Sequence, residues 1–436
     1  MGENGGLLAP TTVHPVLDSP TPVHGAQAPA PSSAASGRMT SQERRSSASL
    51  ALIFALRMLG LFLVLPVFAL EARKYPGGDD PAMIGLAMGL YGLTQAVFQL
   101  PLGLASDRFG RKRVIVAGLL VFAAGSLLAA TADSLLGLMW GRGLQGAGAV
   151  SAAVTALLAD LTRDSVRTKA MAMVGASIAL MFALSLVLAP LLAAGIGLAG
   201  IFALTGALAL VGIAVVIWVA PPEPVVHKPS DMRQVRSGLG EALRHPGLLR
   251  LNLGVFVLHA VQLAMWMAVP ALLVQAGLDA QHHWQVYLPA VIGSLLVIGG
   301  LLFRLERKGY FRAVYLGSIL LIVLVQLGFL FTLQDSAPSL WLSGILLTLY
   351  FVGFNTQEAS QPSLASRLAA PHQRGAALGV YNTLMSLGIF AGGSLGGLVV
   401  QQWGGSGIFV ASTVLMASWL LFAWPMRPGR SSAVRD

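Results

Sequence analysis

From residue 48 onward, apolar stretches of roughly twenty residues recur along the chain, the length a helix needs to cross a bilayer. Twelve can be marked: 48–70, 82–106, 112–132, 135–161, 168–193 and 197–219, then 247–275, 283–304, 311–332, 338–368, 374–400 and 404–426. Each predicts a helix, and local punctuation supports several edges. Asp80 before Pro81 reads as a cap and a first-turn proline, and Pro221 with Pro222 closes the sixth stretch. Residues 220–246 form a polar, proline-bearing interruption that divides the stretches six and six. The first 46 residues are rich in Ala, Pro, Ser, Thr and Gly and carry no periodic pattern, which predicts a disordered tail. The expected organisation is a tail (1–46), a six-helix half (47–219), a linker (220–246), a second six-helix half (247–426) and a short tail (427–436). The predicted class is an all-α membrane protein of twelve transmembrane helices in two pseudo-symmetric halves.

Composition agrees. Of 436 residues, 55% are hydrophobic and only 11% charged, and the mean hydropathy is +0.73, too little polar surface for a soluble globule of this size. The cations then set the orientation, because Lys and Arg are retained on the cytoplasmic side of a bilayer. With both termini placed inside, the 28 Lys and Arg residues all fall on cytoplasmic segments except Arg73 and Lys74 outside and Arg57 and Arg142 within spans. Topology therefore accounts for the net charge of +10, with anionic lipid as a partner of the inner surface, and no nucleic-acid partner is needed. The absence of cysteine excludes disulfides, thiolate metal sites and a cysteine nucleophile.

The two halves repeat one another. DRFGR at 107–111 has an echo, ERKGY, at 306–310, and the segment 159–171 has one at 366–378. Around the first copy the chain reads LGLASDRFGRKRV, with Gly103, Asp107, Arg108, Gly110, Arg111 and Lys112 between two spans. Asp107 ends one helix, Gly110 permits a tight turn and Arg111 follows four residues after the acid, so a charge pair can form. The repeat also aligns Glu306 with Asp107 and Arg367 with Asp160, which suggests a second pair, Glu306 with Arg367; two unrelated interfacial charges are the other reading.

The loop between spans 2 and 3 resembles the signature of the major facilitator superfamily. FALRMLGLFLVLPVF in span 1, YGLTQAVFQLPLGLASDRFGRKR in spans 2 and 3, RGLQGAGAVSAAVTALLADLTRDSVRTKAMA in span 4 and FNTQEASQPSLASRLAAPHQRGAALGVYNTL in spans 10 and 11 are similar to its YajR-type branch, over roughly residues 48–426. The resemblance implies alternating access between two rocking halves, a small-molecule substrate, protons as the coupling ion, export of lipophilic or drug-like compounds, a bacterial inner membrane and a monomer. It supplies Asp160 as a third member beside Asp107 and Arg111, a latch for one conformation, and it gives Arg142, which opens RGLQG, a part in proton coupling. Two departures are visible. Few residues follow Pro425, so the small soluble domain that ends YajR is expected to be missing, and Ala189 stands before Pro190 where the antiport signature has glycine.

Ionisable groups inside spans are costly and so are candidates for function, at least about 2.5 kcal/mol each at the bilayer centre. Glu358 is the only carboxylate well inside a span, among Asn355, Thr356, Gln357 and Gln361; it is a candidate proton carrier or a structural carboxylate. His259 lies about 18 Å along span 7 at 1.5 Å per residue, and can accept a proton or simply pack. Arg57 and Arg142 are permanently charged, so they can tune a neighbour or hold an anionic group, and Arg142 can also snorkel. For the substrate cavity, Tyr91, Gln95 and Gln99 share a face of span 2 and His259, Gln262 and Trp266 share one of span 7, with Gln145, Asn355, Gln357, Gln361 and Asn382 as further polar candidates. His282 and His283 leave open a two-histidine metal site in an outer loop.

No GxxxxGK[ST] loop is present, so no nucleotide or other cofactor is expected and the energy source is a gradient. HExxH does not occur, and regular arginine spacing is missing, which disfavours a membrane enzyme or an ion channel. A proton-coupled importer on the same fold is the alternative that stays open.

Overall fold

The computed structural model describes residues 2, 38–223, 240, 243–302, 304–305, 308–333, 338–369 and 374–426. Among them the chain is helical throughout. In order these are α1 (Ser41–Glu71), α2 (Pro81–Phe109), α3 (Arg111–Ala130), α4 (Leu135–Ala147), α5 (Ser151–Asp160), α6 (Asp164–Ala214), α7 (Pro246–Gln275), α8 (Trp284–Val297), α9 (Phe311–Thr332), α10 (Leu340–Leu368) and α11 (Arg374–Ala423). Eight helical segments among the described residues are long and apolar enough to span a membrane. Two of them, α6 and α11, each contain two passes, because Gly197 (φ 65°, ψ −177°) and Gly404 (φ 65°, ψ −166°) break the helix and reverse it without a loop. The pass made by α4 and α5 is interrupted at residues 148–150, so neither piece reaches full length alone. In α10 the polar run around Asn355–Gln361 dilutes its hydropathy. Counted this way, the described residues make twelve passes, at the positions of the apolar stretches to within a few residues.

The duplication is written in the backbone. Gly110 and Gly309 both have positive φ, 100° and 89°, and stand 199 positions apart, the offset of the DRFGR echo. Gly197 and Gly404 stand 207 apart, the offset of the second echo, and Gly77 and Gly277 share φ 86°. Helix α1 begins earlier than the apolar pattern indicates. Residues 41–46 are helical and not part of a disordered tail, because Thr40 and Glu43 form a capping box: Glu43 N–H donates to Thr40 Oγ1 and Thr40 N–H to a Glu43 carboxylate oxygen. The remaining tail and most of the linker lie outside the described residues.

The two six-helix groups meet through small residues. Gly85, Gly89 and Gly92 on α2 face Gly393, Gly397, Phe390 and Ser386 on α11, so closely that a methyl on Gly89 would stand 2.7 Å from the Phe390 carbonyl. Such approach needs glycine on α2 and, where Gly85 meets Gly393 and Gly397, on both sides. At the end that carries the α1–α2 turn, Gln401 Nε2 donates to Asp80 Oδ1 at 3.1 Å, and nearer the middle of their passes Phe182 of α6 meets Phe351 of α10 edge to face at 5.9 Å.

Candidate functional site

Three polar clusters lie within the helical bundle. The first surrounds the turn from α2 to α3. Arg111, one residue past Gly110, is ion-paired with Asp107, donates Nε to Asp160 Oδ2 at 3.1 Å and Nη1 to Ser106 Oγ at 2.7 Å. One guanidinium thus joins the ends of α2 and α5 around the head of α3. Gly110 supplies the turn with φ 100°, and Gly103 lets α2 approach α5, since a methyl there would sit 3.3 Å from the Ala152 Cβ. Arg108 stands apart, its guanidinium over the Phe109 ring.

Glu223, which the sequence reading left out, completes this cluster by accepting the backbone N–H groups of Arg111 at 2.7 Å and Lys112 at 3.3 Å. Its partner positions are more than a hundred residues away, so no local pattern reveals it. Glu43 was also missed. It is 6% exposed and receives Arg163 Nε at 2.7 Å and Nη2 at 2.9 Å, tying the start of α1 to the start of α6. Those bonds, with the Thr40 N–H, hold its carboxyl far below the ordinary range. Of the repeat-related pair, Glu306 lies outside the described residues and Arg367 donates to Ser363 Oγ at 3.0 Å on its own helix.

The second cluster is built on Tyr91. Arg57 of α1 donates Nη2 to the Tyr91 hydroxyl and Nη1 to Ser151 Oγ, each at 2.9 Å, while Arg142 of α4 lies over the face of the same ring, 4.9 Å from its centroid. Arg142 Nη1 donates to Gln145 Oε1 at 3.0 Å, and Gln145 Nε2 donates to Ser126 Oγ at 2.8 Å. Arg57 and Arg142 are 2% and 1% exposed, and no carboxylate lies within ion-pair distance of either among the described residues. Gln95 and Gln99 continue this polar face along α2, both buried, each with Oε1 unpartnered.

The third cluster joins α7 to α10. His259 is buried and its Nδ1 bonds the Val255 carbonyl at 2.9 Å, which leaves Nε2 facing Glu358 Oε2 at 3.4 Å. The Glu358 side chain is 44% exposed, although Oε2 itself is buried without a hydrogen-bond partner. The four candidate proton-coupling residues therefore separate into two groups, Arg57 with Arg142 around Tyr91 and His259 with Glu358.

The other cavity candidates divide between packing and open space. Gln357 is fully buried and donates to the Tyr315 carbonyl and Ser318 Oγ, both at 2.7 Å, while Gln361 donates back to Gln357 Oε1 at 3.3 Å. They tie α10 to α9, and Gln361 Oε1 is left without a partner. Asn355 Nδ2 reaches Ser294 Oγ of α8 at 3.4 Å, and Trp266 packs edge to face on Tyr287 with Nε1 unpartnered. Gln262 and Asn382 are half-buried. His283 bonds the Leu278 carbonyl and His282 stands 3.9 Å from Asp279, so the two histidines serve different partners; no group of three metal-ligating residues occurs among the described residues.

The Major Facilitator Superfamily model matches residues 50–393. The inner membrane transport protein YajR of Escherichia coli K12 is 42% identical over 392 residues, covering 89% of this chain and 85% of that protein. Multidrug resistance protein MdtH of Aeromonas salmonicida is 27% identical over 361 residues, covering 79% and 84%. Among solved structures, the nucleoside transporter NupG superposes with a TM-score of 0.66 at 16% identity over 88% of this chain and 98% of that one, a likeness of fold.

Proposed function

The chain belongs to the major facilitator superfamily, a family of transporters and not of enzymes, and from that premise we propose a proton-coupled antiporter that exports small lipophilic or drug-like molecules across a bacterial inner membrane, both termini cytoplasmic. The similarity to YajR and to MdtH supports export and location. The observation that carries coupling is the His259–Glu358 pair. With Nδ1 committed to a carbonyl, the neutral imidazole offers Nε2 as an acceptor, and a protonated Glu358 can donate to it. A carboxylate beside an imidazolium is the other arrangement of the same proton. The half-exposed face of Glu358 lets that proton leave, and substrate movement can be exchanged against it.

Alternating access follows from the two ends of the bundle. In the proposed orientation the α2–α11 glycine contact and the Phe182–Phe351 contact close the outer side. The Arg111 cluster lies on the cytoplasmic side, where making and breaking its pairs with Asp107 and Asp160 would weight one conformation against the other.

The test uses everted vesicles carrying a respiration-driven proton gradient, with a panel of lipophilic cations and small metabolites. Collapse of the gradient on adding a compound, lost in Glu358→Gln and His259→Gln, is the expected result. Substrate accumulation together with proton entry would replace export by import on the same fold. Transport unchanged in both variants would remove the coupling pair.

A further inference from the structure

The cluster around Tyr91 contains two guanidinium groups that cannot be deprotonated, both at least 98% buried and, among the described residues, with only neutral partners: the Tyr91 hydroxyl and ring, the Ser151 hydroxyl, the Gln145 and Met88 carbonyls and the Phe122 ring. Buried cations are held by counter-charges in stable interiors, because a guanidinium removed from water pays a large desolvation penalty that neutral groups repay only in part. Among the described residues no counter-charge stands beside either group, and Arg57 Nε and Arg142 Nε are both left without partners.

A second, independent feature points the same way. The pass formed by α4 and α5 breaks at residues 148–150, and α5 restarts at Ser151 with Val150 as its cap residue and no side chain bonded to its first N–H groups. A ten-residue helix thus presents an uncapped N-terminus inside the membrane-spanning region, the end of a helix that favours negative charge. Arg57 Nη1 bonds the hydroxyl of that first residue, so the guanidinium and the helix terminus converge on one spot, and Ser151 is half-exposed. Beyond Tyr91, the unpartnered carbonyl oxygens of Gln95 and Gln99 supply acceptors along α2.

We infer that this convergence is an anion-binding site, built by Arg57, Arg142 and the start of α5, and that it takes the carboxylate, sulfonate or phosphate of a small organic substrate whose own N–H or O–H groups meet Gln95 and Gln99. The inference deepens the transport reading, on which it rests, by naming a charged group that the substrate carries. The planar fork of Arg57 suits an oxyanion bidentately once it releases a hydroxyl, and the Tyr91 ring keeps Arg142 in place behind it. An inorganic oxyanion shares this chemistry, so the test separates the two sources.

Thermal unfolding of the purified full chain in detergent is measured with increasing 1-naphthoate, 1-naphthalenesulfonate and phenyl phosphate, with the uncharged 1-naphthamide as control and inorganic phosphate at matched ionic strength. The expected result is a saturable rise in midpoint with at least one organic anion and none with the amide, its apparent affinity falling about tenfold or more in Arg57→Gln, a loss of the size that a charge-assisted bond carries. Arg57→Lys keeps the charge without the fork and serves if Arg57→Gln does not fold; it is expected to bind more weakly than the native chain. Saturation by phosphate alone assigns the site to an inorganic ion and overturns the substrate assignment. No shift with any anion, or equal shifts in native and Arg57→Gln protein, overturns the site. The measurement needs no gradient, so a failure of proton coupling is read separately, in the vesicle experiment.

Discussion

Glu223 accepts the backbone N–H of Arg111 at 2.7 Å and that of Lys112 at 3.3 Å, so a carboxylate from the end of the sixth pass caps the first turn of α3. Helix α3 has no side-chain cap of its own, since Gly110 precedes it. Replacing Glu223 by alanine leaves two N–H groups to water and removes a favourable charge from a helix N-terminus. The expected loss is about 1 kcal/mol, the usual worth of a cap, read as a lower thermal midpoint of the purified protein. Glu223→Gln should recover part of it, because an amide oxygen still accepts.

Asp107 and Asp160 share one guanidinium, and this predicts how their substitutions combine. Asp107→Asn and Asp160→Asn should each reduce transport about tenfold or more while folded protein still reaches the membrane, since a pair at the solvent-facing end of the helices contributes only about 1 kcal/mol to stability. The double variant should be little worse than either single one, because residues in one network are not additive. Strictly additive losses in initial transport rates would show that the two acids act independently of Arg111.

How much of this was legible depended on the range of the interaction. The twelve passes, the six-and-six division and the Gly110 turn are written in local hydropathy and in one glycine, and the structure repeats them at the offsets carried by the DRFGR echo. Helix starts set by caps were legible in principle: Thr40 and Glu43 spell a capping box that a search for apolar stretches passes over. The break at residues 148–150 left only the Gly146–Gly148 pair as a hint. Contacts between remote positions had no local signal. Arg57 reaches Ser151 across 94 positions and Arg163 reaches Glu43 across 120, and only the cost of a buried charge told that Arg57 needed partners, not which ones. The same limit hid the partners of Gln357, the Tyr315 carbonyl and Ser318, which lie about forty positions away on α9.

The glycine contact between α2 and α11 makes a prediction about conformation. Gly89→Ala places a methyl 2.7 Å from the Phe390 carbonyl, which overpacking data value at about 1 to 3 kcal/mol, and the strain falls only on the state in which the α1–α2 end is closed. Because the chain contains no cysteine, Asp80→Cys with Gln401→Cys can be joined by a short bismaleimide to report that closure. Cross-linking should be efficient in the glycine background and several-fold weaker with Gly89→Ala. Equal yields would mean that the contact is made in both states and does not discriminate between them.

Glu43 offers a test through pH. Its carboxyl is held low chiefly by the Arg163 side chain and next by the Thr40 N–H, so in the unfolded chain it binds protons at a higher pH than in the folded one. A group whose folded value is depressed contributes stability that is complete above the unfolded value, about 4.3 for glutamate, and is lost as pH falls through the window below it. The native chain should therefore unfold at a higher temperature than Glu43→Gln at pH 7, and the gap should narrow steadily as pH falls below about 4.3. Added salt at pH 7 should shrink the gap only partly, because Glu43 is buried while Arg163 is not. A gap that stayed constant down to the acid limit would show that the Arg163 charge has no effect on the start of α1, since Gln at this position keeps the capping box.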